Sequence, residues 1–202
     1  RKGIKSYELS KSTPYICLGV DYDPPLDAHH TLVTRNVDEI NEFWWEKYRK
    51  GIVPKPEEQF GLICCPTKTD DSLAPKGHHI VALDFQGPSK LANGTWDDIK
   101  EEFSESLVNY ISERVIPGLK GHVKTKVVSS PLDFERRLGN PGGAFYCFQQ
   151  DLTAQTVFRP ASKSKSIQSL YLTGASTHPG GGVPTVMASG IIAARQIEAN
   201  EK

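Results

Sequence analysis

Tyr15 to Tyr22 alternates aromatic, β-branched and small residues and predicts a strand, closed by Pro24-Pro25. Thr31 to Thr34 predicts a short second strand. Asn36 can cap a helix from Val37 that places Val37, Ile40 and Trp44 on one face and ends near Gly51. Pro54 and Pro56 make a stiff loop. Gly61 to Cys65 and His79 to Phe85 are apolar enough to be strands, with a polar turn region between them. Thr95-Trp96-Asp97-Asp98 has the form of a capping box. Behind it, Trp96, Ile99, Phe103, Leu107 and Tyr110 fall on one helical stripe, which Pro117-Gly118 stops. Lys124 to Ser129 alternates like a strand, and Pro131 to Leu138 reads as a short helix. Near the C-terminus, a short apolar strand from Leu170 to Thr173 leads through a glycine-rich loop into a helix starting at Val183-Pro184.

Strands with interposed helices predict an α+β fold, with a mixed or antiparallel sheet and helices on one face. A chain of 202 residues suits one or two small domains. Lysine plus arginine equals aspartate plus glutamate at 24 each, so bulk charge offers no attraction for nucleic acid. No apolar run approaches the roughly 18–20 residues needed to span a bilayer. Cys17, Cys64, Cys65 and Cys147 contain no Cys-x-x-Cys spacing and are expected to be reduced, structural thiols. Asn93-Gly94-Thr95 fits a glycosylation sequon, but it also reads as a turn and a helix cap, the preferred reading.

The glycine loop carries the strongest chemical signal. It runs Thr173-Gly-Ala-Ser-Thr-His-Pro-Gly-Gly-Gly-Val-Pro184. The first amides of the helix behind it lack intrahelical partners, and the helix dipole adds positive potential there. Such a start can hold a phosphate or a developing anion, although glycine loops also serve as ordinary turns. Gly-Lys-Ser/Thr is absent, so this is not a P-loop, and Gly-x-Gly-x-x-Gly is absent too. Backbone amides alone suit the pyrimidine edge of a flavin, where the reduced ring carries negative charge near N1 and the C2 carbonyl.

Thr173 to Pro184 closely resembles the C-terminal FAD signature of bacterial and fungal phytoene desaturases. The resemblance extends through Ala28-His-His-Thr31, Cys65-Pro-Thr-Lys-Thr-Asp70, Ser72-Leu-Ala-Pro-Lys-Gly-His78, Ser130-Pro-Leu-Asp-Phe-Glu135, Asn140-Pro-Gly-Gly143 and Phe158-Arg-Pro160, in family order. It spans roughly residues 14–198. The last block is fairly specific, but the blocks do not separate phytoene desaturases from diapophytoene desaturases, carotenoid ketolases and oxygenases, or retinol saturases.

The resemblance implies a substrate-domain sheet over 1–140 and, over 141–202, a return to an FAD-binding domain for its last strand and helix. The return is placed between Pro141 and Ser169. It implies FAD as cofactor, with Gly174, Ala175, Thr177, His178, Gly182, Val183 and Pro184 as the residues that bind it. Family members also carry an N-terminal glycine-rich βαβ unit for the ADP half of FAD, which these 202 residues do not contain. The chain opens at Arg1-Lys2-Gly3 without methionine, so it is expected to be the C-terminal part of a larger flavoprotein, and alone to be inactive and unable to retain FAD.

By the same resemblance, the parent desaturates a polyisoprenoid such as phytoene or a related carotenoid. Hydride passes from an allylic carbon to flavin N5, with proton loss from the neighbouring carbon. Electrons leave to oxygen or a quinone. No catalytic residue and no general base stand out. Alternatives are a retinol saturase, a carotenoid ketolase, an amine-oxidase relative, or a non-enzymatic lipid-binding or interaction module. The expected location is cytoplasmic, with peripheral membrane contact as an option.

Other residues have competing readings. Adjacent histidines on a strand point to opposite faces, so His29-His30 and His78-His79 are expected to bind no metal. His178 either contacts flavin or substrate, or fixes its loop. Arg159 either orients the flavin or lines a substrate tunnel, or forms a salt bridge within its loop. Phe43-Trp44-Trp45, followed by Lys47, Tyr48, Arg49 and Lys50, suits a lipid interface as well as a half-core, half-solvated cluster. Gly-x-Ser-x-Gly is absent, so Ser176 and Ser189 read as loop and helix residues.

Overall fold

The computed structural model describes residues 7–149 and 158–200. The chain divides into two compact units. Ser12–Arg137 is one, and the described residues outside that range form the other.

The Ser12–Arg137 unit is built on five antiparallel strands: β1 (Tyr15–Val20), β2 (His30–Val33), β3 (Gly61–Cys64), β4 (His79–Phe85) and β5 (Val123–Ser129). Their order is β2-β3-β4-β1-β5. Alternation in β1 explains the layer beneath the sheet. Ile16, Leu18 and Val20 are buried while Tyr15, Cys17 and Gly19 lie on the other face. Ile63, Val81, Leu83 and Phe85 complete the buried face. Across it lies α2 (Trp96–Arg114), whose Leu107, Val108 and Ile111 join Ile116 and Leu119 in one core cluster. Each fully buried aliphatic side chain contributes about 1.5–3 kcal/mol.

The predicted capping box starts α2. The Asp98 carboxylate accepts from the Thr95 amide at 2.7 Å and from its hydroxyl at 2.8 Å. Trp96, the first helical residue, is buried and donates its indole N–H to the Pro88 carbonyl at 2.9 Å. Gly118, in the left-handed region at φ +87°, turns the chain after the helix. A second box opens α3 (Pro131–Leu138): Asp133 accepts from the Ser130 amide and hydroxyl at 2.9 and 2.8 Å. Lys100 reaches the same carboxylate at 3.0 Å, and Arg136 reaches Asp97 at 2.7 Å, so α2 and α3 are cross-linked by charge.

The helix after Asn36 differs from its expected form. Asn36 caps it as predicted, accepting the Glu39 amide at 2.9 Å. Yet α1 (Val37–Glu42) is short, and Phe43–Tyr48 forms a wider π-helical turn. The predicted Val37, Ile40 and Trp44 face is packed only in part: Ile40 and Trp44 are half-buried. Val37 is 71% exposed, and Phe43 is the buried residue. Phe43 meets Phe60 edge-on at 5.3 Å, and Trp44 lies 5.1 Å from Tyr48.

In the other unit, α4 (Val183–Asn200) begins where proline in its first turn predicts. The expected Leu170–Thr173 strand is reduced to one bridge between Lys163 and Tyr171, flanked by Leu172 N–H to Ser162 O at 2.7 Å. A ladder needs a partner of matching length, and the Ser162–Ser164 stretch offers only this short pairing. The expected return segment between Pro141 and Ser169 includes residues 150–157, which lie outside the described residues.

Candidate functional site

The glycine loop and the start of α4 are held in place mainly by backbone and hydroxyl groups. The Gly174 amide donates to Ser189 Oγ at 2.9 Å, and Ser189 Oγ donates to the Val186 carbonyl at 2.7 Å. The Thr177 amide and hydroxyl both donate back to the Gly174 carbonyl, at 3.1 and 2.9 Å. Thr177 and Ser189 are buried. Gly174 and Gly182 sit at φ +107° and +104°, a region that side-chain-bearing residues rarely enter. Above Gly174 there is open space, with no atom within 4 Å of an added Cβ. Gly181 is constrained differently: a Cβ there would fall 2.2 Å from the Tyr146 ring.

All seven predicted cofactor residues therefore fall on one continuous turn and helix start. Ala175 offers its carbonyl to Arg159. The His178 amide donates to Pro160 O at 3.0 Å, which fixes the loop. Val183 is 75% exposed at the first turn of α4, with Met187 and Ile191 exposed behind it on one helical stripe. Pro184 has no N–H, so the amides presented there come from its neighbours. Ser176 and Ser189 are loop and helix residues, as expected.

Arg159 is 3% exposed, and its described partners are carbonyls rather than a carboxylate. Its guanidinium donates to Tyr146 O at 3.2 Å, Phe148 O at 3.3 Å and Ala175 O. One planar fork thus ties the 146–148 turn to the glycine loop.

In the Ser12–Arg137 unit, the face opposite α2 carries functional groups that sequence reasoning missed. Register sets Leu32, Leu62, Asp84, Tyr15 and Ser129 in one row across the sheet. His30, Cys64, Ala82, Cys17 and Val127 form the next. Leu32 is 70% and Val127 61% exposed, so this face has an apolar surface around its polar groups. Burial raises the Asp84 pKa, opposed by the Thr13 hydroxyl that donates to it at 2.6 Å. Burial likewise raises Tyr15, Cys17 and Cys64. The signal for Asp84 was available: it is the one carboxylate in the apolar run His79 to Phe85.

His29 and His30 depart from the expected geometry. β2 begins only at His30, so strand alternation does not govern His29. The two rings stack at 4.4 Å rather than pointing apart. The four cysteines are unpaired. A cavity of 260 Å³, lined chiefly by Val53, Pro54, Pro56, Ile99, Phe103 and Leu107, contains none of the predicted site residues. It falls below the roughly 300–1,000 Å³ usual for small-molecule pockets. Among the described residues, no helix is long and apolar enough to cross a membrane.

No protein-family model matches the chain. Individual proteins do. The chain is 30% identical over 195 residues to a lycopene-forming phytoene desaturase of a Paracoccus species, covering 93% of this chain and 37% of that protein. It is 34% identical over 172 residues to a neurosporene-forming phytoene desaturase of Rhodobacter capsulatus, covering 84% of this chain and 32% of the relative. It is 37% identical over 186 residues to a 4,4'-diapolycopen-4-al dehydrogenase of Metabacillus indicus, covering 91% and 36%. The chain thus spans about a third of the length of these relatives. Coverage of nearly all its residues by several carotenoid desaturases places it in the phytoene desaturase-like family.

Proposed function

We propose that this chain is part of an FAD-dependent oxidoreductase that desaturates a polyisoprenoid such as phytoene or a related carotenoid. The observation that carries the reading is the glycine turn at the start of α4. Gly174 and Gly182 take backbone angles that keep side chains away, and Ser189 and Arg159 hold the turn rigid. This fits a planar ring approached by backbone. Gly174, Ala175, Thr177, His178, Gly182, Val183 and Pro184 would hold the flavin, which supplies a two-electron acceptor. The chain's own contribution is fixed amide dipoles at a helix start, stabilising negative charge without reorganisation.

The substrate class rests on the relatives, whose names are those of carotenoid desaturases. The exposed apolar residues on the open sheet face are compatible with a long hydrocarbon. A terminal acceptor, oxygen or a quinone, completes the cycle. A second reading, oxidation at a carotenoid end group, draws on the Metabacillus relative. The test is expression of the full-length protein with phytoene and with an aldehyde-ended carotenoid, followed by FAD stoichiometry and product analysis. Conjugated products from phytoene support desaturation. A carboxylate from the aldehyde alone favours the second reading, and absence of bound FAD overturns both.

A further inference from the structure

We propose that His29, His30 and Cys64 form a binding site for a soft divalent ion, Zn(II), at the β2 edge of the sheet. Antiparallel register sets His30 directly opposite Cys64. The Cys65 amide donates to the His29 carbonyl at 2.7 Å, which clamps the two backbones side by side. One ligand atom from each of the three residues lies within 4.8 Å of the others. His30 Nε2 and Cys64 Sγ are 3.6 Å apart. Zn–N of about 2.05 Å and Zn–S of about 2.3 Å in a tetrahedron require a ligand separation of roughly 3.5 Å, which the His30–Cys64 pair meets; the exposed His30 ring turns out of its stack on His29 for both imidazole lone pairs to converge on the ion.

The outer shell is already built. Thr69 Oγ1 donates its single proton to the Pro66 carbonyl at 3.0 Å, so it accepts from His29 Nδ1 at 2.7 Å. The proton on Nδ1 leaves the Nε2 lone pair of His29 available to a metal. A histidine whose second nitrogen donates to a fixed oxygen is the usual arrangement of metal-ligating imidazole. Two imidazoles and a thiol make a donor set suited to zinc and unsuited to calcium or magnesium. Binding replaces the Cys64 S–H bond with S–Zn and releases that proton to solvent. His29 and Cys64 are half-buried and His30 is exposed, so an ion and a fourth, water ligand can reach the site. The occupied site would fasten the edge strand β2 to β3. It uses none of the glycine-loop residues and stands apart from the flavin reading.

The test is titration of chelator-stripped protein with Zn(II) against a chromophoric chelator, and with Co(II) followed by absorption. One equivalent should bind. Co(II) should show a thiolate charge-transfer band that Cys64→Ser abolishes. His29→Gln and Cys64→Ser should each weaken Zn(II) at least tenfold, and Thr69→Val about tenfold through loss of the oriented imidazole. Zn(II) should raise the melting midpoint of the wild type and of none of the ligand variants. If Cys64→Ser does not fold, the Thr69→Val titration carries the test. Absence of the cobalt band, or equal zinc affinity in wild type and His29→Gln, overturns the proposal.

Discussion

The amide of Gly174 is satisfied by the hydroxyl of Ser189, fifteen residues downstream, at 2.9 Å. That hydroxyl also caps a carbonyl inside its own helix, so one oxygen joins the glycine loop to α4. Ser189→Ala removes this partner from the half-buried Gly174 amide, at a cost of about 0.5–1.5 kcal/mol. Urea unfolding of wild type and variant checks it; equal midpoints and slopes would remove the tie from the account.

Gly182→Val is expected to displace flavin from the full-length protein. The φ of +104° is strained for valine, and the added Cβ would come within 3.3 Å of Thr185 Oγ1. Bound FAD per chain and the flavin absorption spectrum are the readouts. A variant that retains a full complement of unperturbed flavin would place the ring elsewhere.

Asp84 makes a pH prediction. Its folded pKa is raised, so its stabilising contribution is present below the unfolded value and is lost as pH rises through the folded value. At neutral pH the ionised carboxylate therefore destabilises the sheet. Asp84→Asn keeps an acceptor for Thr13 and has no charge. Its melting temperature should exceed that of the wild type at pH 7, with the gap closing below about pH 4, near the ordinary carboxylate range. Melts across pH 3.5–7 test it, and a pH-independent gap would contradict it.

Most of the fold was legible because it depends on local pattern. The alternation in Tyr15–Val20, the Thr95–Asp98 box and the bounds of Pro131–Leu138 all appeared as expected. Features that depend on distant partners were not legible. Leu170–Thr173 has strand composition but only a one-bridge partner. Phe43 joined Trp44 as a packed residue while Val37 stayed exposed, because a π-helical turn shifts the face, and no composition rule marks that shift. His29 stacks on His30 because β2 begins at His30, one residue before the expected Thr31, and leaves His29 outside the strand's alternation. The glycine loop could be picked out by residue type, whereas the Gly174–Ser189 and Arg159–Ala175 ties needed the fold.

The aromatic segment separates into two roles. Trp45 is 58% exposed, with the Arg49 guanidinium 4.0 Å from the ring centroid, whereas Trp44 packs among Phe43, Tyr48 and Phe60. If the segment meets a lipid surface, Trp45→Ser should lower binding to anionic liposomes and leave the melt unchanged. Trp44→Ser should instead cost about 1–3 kcal/mol of stability through lost packing. Liposome sedimentation beside thermal melts distinguishes them, and unchanged sedimentation of Trp45→Ser would argue against membrane contact through this residue.

The two-residue repeat of β4 limits how its gene segment can vary in length. Leu83 and Phe85 lie under α2 while Ala82 and Asp84 occupy the opposite face. One inserted codon between Val81 and Leu83 would exchange the sides, driving a carboxylate into the core and two large apolar residues out. Insertions and deletions should therefore be tolerated in the exposed turn of 75–78, before β4, and be selected against in odd numbers inside the strand.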